Sequence, residues 1–81
     1  MTLDSFAEAP HVTGIKQVSK AVGRGNVRTV FLAGDADERV TGPLRVLCQK
    51  SGVEVVEAAT MAELGNACAI EVGAAAAAIL K

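Results

Sequence analysis

The chain has 81 residues, 51% of them apolar and 21% charged, which makes a single globular domain spanning 1–81 and leaves no room for a second. Its formal charge is −1 and its aromatic residues are Phe6 and Phe31, so it has neither a basic surface broad enough to grip duplex phosphates everywhere nor an aromatic platform for stacking bases. Cys48 and Cys68, with one His in the whole chain, assemble no zinc site at the usual spacings; they read as reduced core residues, which suits a cytoplasmic protein.

The first residues carry Asp4 and Glu8 and no basic stretch leading into an apolar one, so they do not resemble a signal peptide. The segment around Phe6 could add a turn of helix. A short strand is expected at His11–Thr13. Ile15, Val18 and Val22 then recur at helical spacing, which predicts a helix over 15–22 with an inward apolar stripe, stopped by Gly23 and Gly25. Val27 to Ala33 is β-branched and apolar, the pattern of a strand buried on both faces. Gly34 to Asp37 is a turn. The next helix is expected to hold Pro43 in its first turn, to face Leu44, Leu47 and Cys48 inward, and to end at Gly52 just after Lys50. Val53–Val56 is a strand. Thr60-Met61-Ala62-Glu63 is a capping box opening a helix to about Cys68, and 69–73 is a loop. Ala74 to Leu80 favours helix by propensity, yet alternation demands a central strand, where small side chains let helices pack close. The apolar run 72–80 is about half of what a membrane helix needs. The order β-α-β-α-β-α-β implies a sheet with helices on both faces.

Charge is distributed unevenly. Lys16, Lys20, Arg24 and Arg28 lie between Pro10 and Gly34 with no acid among them, and all nine acids lie elsewhere. Lys16, Lys20 and Arg24 share one helix face opposite the apolar stripe. A helix N-terminus already favours anions; Gly14 lets a backbone approach and Gln17 can donate and accept at a base edge. By spacing alone, the same face reads first as a solvated helix surface. Ile70 and Val72, in an apolar loop, read first as core and second as an aliphatic ledge for an unstacked base. Asp35 and Asp37 follow a buried strand, where a pair of carboxylates can hold Mg²⁺; turn formation and capping are the plainer explanation. His11 has no Ser or Cys partner at an informative spacing and reads as a structural or surface residue.

Three segments together resemble the ribosomal protein L7Ae family, in particular its short bacterial members. Gly14-Ile15-Lys16-Gln17-Val18-Ser19-Lys20-Ala21 is similar to the family's Gly-x-Asn-Glu-x-x-Lys-Ala. Val30 to Asp37 is similar to its hydrophobic run ending in Asp-x-Asp/Glu-Pro, and Leu64-Gly65-Asn66-Ala67-Cys68-Ala69-Ile70-Glu71-Val72 to its Leu-Gly-x-Ala-Cys-Gly loop. The likeness spans about 11–80. It implies a three-layer α/β/α sandwich with a four-stranded mixed sheet, and a non-catalytic protein that recognises kink-turn RNA in a ribosomal or riboswitch setting. A monomer is expected, with no cofactor, no catalytic or metal residues, no small-molecule substrate and no membrane partner. Carried over by position, Gly14, Ile15, Lys16, Gln17 and Lys20 would meet the tandem sheared G·A pairs. Asp37 would lie near the flipped-out nucleotide, and Ile70, Glu71 and Val72 would cover it.

This sequence departs from the family pattern in three places. Lys16-Gln17 stands for Asn-Glu, as in the short bacterial members, and trades a carboxylate acceptor for an amide. Glu38 stands for Pro and Ala69 for Gly. Two other functions compete: a protein–protein adaptor on the same fold without RNA, and a small Mg²⁺-dependent phosphoryl-transfer enzyme built on Asp35 and Asp37.

Overall fold

The computed structural model describes residues 10–58, 60–67 and 73–81. In chain order it forms β1 (His11–Thr13), α1 (Ile15–Gly23), β2 (Val27–Ala33), α2 (Glu38–Ser51), β3 (Glu54–Ala58), α3 (Met61–Ala67) and β4 (Ala76–Leu80). The strands make one sheet in the order β1-β4-β2-β3. β2 and β3 run parallel, while β4 is antiparallel to both β1 and β2. The sheet is therefore mixed, and β1, β2 and β3 all point the same way.

Side-chain alternation along the two central strands builds both faces of the core. Val30 and Leu32 of β2 and Ala76 and Ala78 of β4 face one way, where they pack with Val18, Ala21 and Val22 of α1 and Leu44 and Cys48 of α2. Phe31, Ala33, Ala77 and Ile79 face the other way and pack with Leu64 of α3. This is the three-layer α/β/α sandwich, two helices on one face and one on the other. It explains why β2 and β4 read as nearly unbroken apolar runs. The alanines of β4 are fully buried, and they leave room for larger partners on both faces. Burial also pushes the Cys48 thiol above its usual range, against the pull of Arg45, so it stays a neutral core residue at neutral pH.

α2 departs from expectation at its start. It begins at Glu38, which makes Pro43 the sixth helical residue rather than one of the first turn. Asp37 decides the boundary: its Oδ1 accepts from the Arg39 amide at 2.8 Å, a strong N-cap. Pro43 then withholds an N–H from the Arg39 carbonyl one turn back. The helix continues because Thr41, Leu44 and Cys48 are buried along it. The Thr41 hydroxyl donates to the Asp37 carbonyl at 3.4 Å. Gly52 closes the other end in the left-handed conformation, φ +69°, as a C-terminal glycine should.

α3 has seven residues, too few to hold together by propensity, and it is fastened at its start from two directions. The Glu63 amide donates to Thr60 Oγ1 at 3.0 Å, and the Met61 amide donates to Asp35 Oδ1 at 2.7 Å. Asp35 thus caps a helix 26 residues away. Asp35→Ala and Thr60→Ala should each lower stability by about 1 kcal/mol. Denaturant unfolding of both variants and their double mutant tests this, and unchanged midpoints would show that the caps are idle.

Candidate nucleic-acid interface

Strand direction gathers several loops at one end of the sheet. The carboxyl ends of β1, β2 and β3 lie there with the amino end of β4. Backbone hydrogen bonds fasten them together: the Gly14 amide donates to Ala76 O at 2.9 Å, Ala33 to Ala75 O at 2.9 Å, and Ala74 to Met61 O at 3.0 Å. The β1–α1 junction, the β2–α2 turn, the start of α3 and residues 73–75 therefore share this end. In α/β sheets the carboxyl ends of the strands are where ligands are received.

The three helices start in different ways here. α2 has Asp37 as its cap and Glu38 in its first turn, and α3 has Thr60, Asp35 and Glu63. α1 has none of these. Its N-cap is Gly14, which supplies no side-chain hydrogen bond, and its first turn contains no acid. The first amide bonded within the helix is that of Val18, to Gly14 O at 3.0 Å, so the amides of Ile15, Lys16 and Gln17 precede the intrahelical ladder. Gly14 has φ +90° and ψ +148°, a conformation open almost only to glycine. A Cβ there would meet nothing within 4 Å, so the backbone lies bare.

Lys16, Gln17 and Lys20 are exposed along the outer face of α1, while Val18 and Val22 are buried beneath it. Ile15 is half-buried and packs against the core rather than standing free. Asp37 is exposed in the β2–α2 turn and paired with Arg39 at 2.9 Å. The Arg39 side chain, and then its amide, hold the Asp37 carboxyl below the usual carboxylate range. The structure thus brings Gly14, Ile15, Lys16 and Gln17 to the same end as Asp37, with Lys20 one turn along α1. Ile70, Glu71 and Val72 lie outside the described residues, as does Cys68. The described chain resumes at Gly73, against Met61: a Cβ on Gly73 would stand 3.0 Å from Met61 Cβ.

Sequence reading missed the second task of Asp35. It placed that carboxylate in a turn but could not show that the turn reaches α3, because no local signal marks a partner 26 residues away. Both aspartates once weighed as metal ligands are engaged, Asp35 by the Met61 amide and Asp37 by Arg39.

Residues 8–81 match the ribosomal protein L7Ae/L30e/S12e/Gadd45 family. The chain belongs to that family. An RNA-binding protein of Bacillus pumilus is 41% identical over 81 residues, covering 99% of each chain. The large ribosomal subunit protein eL8 of Halobacterium salinarum is 44% identical over 68 residues, 83% of this chain and 57% of that protein. Among solved structures, a Giardia lamblia 15.5kD RNA binding protein superposes with a TM-score of 0.86 at 30% identity, over 98% of this chain and 68% of that one. Membership of the L7Ae family places the chain among non-catalytic proteins. Among the described residues, no helix of this L7Ae-family chain is long and apolar enough to cross a membrane.

Proposed function

We propose that this chain binds RNA, and that its target is a kink-turn: tandem sheared G·A pairs beside a bulged, flipped-out nucleotide, in a ribosomal or riboswitch RNA. The observation that carries the reading is the contrast between the helix starts. Two are capped and acid-flanked, as stability favours. The third is left bare and bears a lysine against its own dipole. A local choice that works against stability marks a place reserved for a ligand, and uncapped amides with a lysine suit an anion.

In this reading Gly14 lets the RNA backbone approach, Lys16 and Lys20 meet phosphate or the guanine acceptor edge, and Gln17 offers a donor and an acceptor at once. Ile15 contributes the aliphatic base of the helix start. Asp37 stands near the bulge, and Ile70, Glu71 and Val72 cover the flipped nucleotide. RNA is read by sequence chiefly where bases are splayed out, and an aliphatic ledge serves where aromatics are scarce. The protein works as a cytoplasmic monomer. Relatives named for RNA binding, and one ribosomal protein, support the reading.

The test is a gel shift at fixed salt with a kink-turn RNA and a control whose G·A pairs are replaced by Watson–Crick pairs. Binding should favour the kink-turn and weaken with salt, log affinity falling by roughly 0.7–0.9 per phosphate contacted for each decade of salt. Equal binding to both RNAs, or a flat salt dependence, would overturn it.

A further inference from the structure

At the opposite end of the sheet, the C-terminal ends of α1 and α2 and the first residues of β2 and β3 surround an open cavity of about 450 Å³. Gly25, Arg28, Gly52 and Lys81 are among its lining residues, and no acid is. Its two cations, Arg28 and Lys81, make no ion pair with a described residue. Of the eight Lys and Arg residues, Arg39 pairs with Asp37 and Arg45 with Glu57, and Lys50 lies on α2 and is not among the residues that line the cavity. The other five, Lys16, Lys20, Arg24, Arg28 and Lys81, are exposed and make no ion pair with a described residue.

Three of these five lie along α1 and its C-cap, and two line the cavity. Lys16, Lys20 and Arg24 follow one another at four-residue intervals, a rise of about 6 Å each, close to the spacing of successive phosphates on a nucleic-acid strand. Arg24 is the C-cap of α1, between Val22 and Gly25 in the chain, and those two residues line the cavity together with Arg28 and Lys81. The rim cations are not needed to cap the helices. The Gly25 amide donates to Val22 O at 3.0 Å, Asn26 to Ala21 O at 3.1 Å and Val53 to Cys48 O at 2.9 Å, so the chain closes its own helix ends. Gly25 and Gly52 both have positive φ, and a Cβ at either would meet nothing within 4 Å, which leaves bare backbone beside the cations.

We infer that this rim is a second RNA contact: one duplex arm of the RNA held at the start of α1 runs along that helix and sets its backbone phosphates on Arg24, Arg28 and Lys81. The inference rests on the RNA-binding reading above. It assigns the far rim to phosphate, not to base recognition, so it adds affinity and salt dependence without adding sequence preference.

The experiment compares two kink-turn RNAs, one with the arm extended beyond the length of α1 and one with it cut back to the bend, together with the Watson–Crick control. Each is titrated across salt with the wild-type protein, the R24Q/R28Q/K81Q variant and K50Q. The wild type should bind the long-armed RNA more tightly. The triple variant should lose that advantage, with its salt slope on the long arm shallower by roughly two to three, while K50Q keeps both. If the wild type prefers the kink-turn but the triple variant retains the long-arm advantage and slope, the second contact is overturned and the primary site stands. If the wild type does not distinguish the kink-turn from the control, both fall, because nothing then fixes the course of the arm.

Discussion

Replacing Lys16 and Lys20 together with alanine should lower kink-turn affinity about 100-fold, while Lys50→Ala should leave it within about twofold. Each lysine that meets a base edge or phosphate is worth about 1–3 kcal/mol, and about 2.7 kcal/mol corresponds to that hundredfold loss. The loss is not a folding effect. Both side chains are exposed, and surface substitutions of this kind change stability by about 0.5 kcal/mol or less. For Lys16 the sign even runs the other way: a cation in the first turn opposes the helix dipole, so its removal should raise stability by a few tenths of a kcal/mol. Affinity and stability moving in opposite directions is the signature of a residue kept for its ligand. Fluorescence titration of Lys16→Ala and of the double variant with the kink-turn RNA measures affinity, and denaturant unfolding of Lys16→Ala alone measures the stability gain. A double variant that binds as tightly as Lys50→Ala removes the start of α1 from the interface.

The elements most legible in the sequence are those whose reasons are local or periodic. β2 falls where its β-branched run predicts, over 27–33, and α1 runs one residue past the expected Val22. The alanine segment is the harder case. Propensity alone makes it a helix, and it is a strand because its neighbours on both faces need small partners, a reason visible only in the order of the other elements. α2 misled for the opposite cause. Pro43 is a strong local signal for a helix start, but Asp37 offers an acceptor six residues earlier and buried anchors hold the helix through the proline. The Asp35–Met61 hydrogen bond was not legible, since it depends on β2 and β3 lying side by side. The same holds for the candidate interface. The basic face of α1 was readable as spacing and ambiguous as function. What singles it out is comparison with the starts of α2 and α3, and that comparison requires the boundaries and caps of all three helices.

Phe31→Ala should be the most damaging single change to the fold, and its pattern separates folding from binding. Phe31 is 1% exposed and is the largest side chain among the described residues of the α3-side core, which it shares with Leu64, Ile79 and the small Ala33, Ala74 and Ala77. Truncating a buried Phe costs about 3–5 kcal/mol, and a chain of this size has roughly 4–12 kcal/mol in all. The midpoint of thermal unfolding should therefore fall by at least about 12 °C. The opposite layer, where Val18 and Val22 of α1 meet Leu44 and Cys48 of α2, does not include Phe31. Molecules that remain folded thus present Lys16, Gln17 and Lys20 as before. In the cold, RNA affinity should fall only by the unfolded fraction, and the salt slope should be unchanged, whereas the lysine variants lose slope at full stability. A loss below about 1 kcal/mol would mean that the α3 layer is not held by this ring. A changed salt slope in the folded protein would mean that the α3 side of the sheet, and not α1 alone, presents the charges that meet RNA.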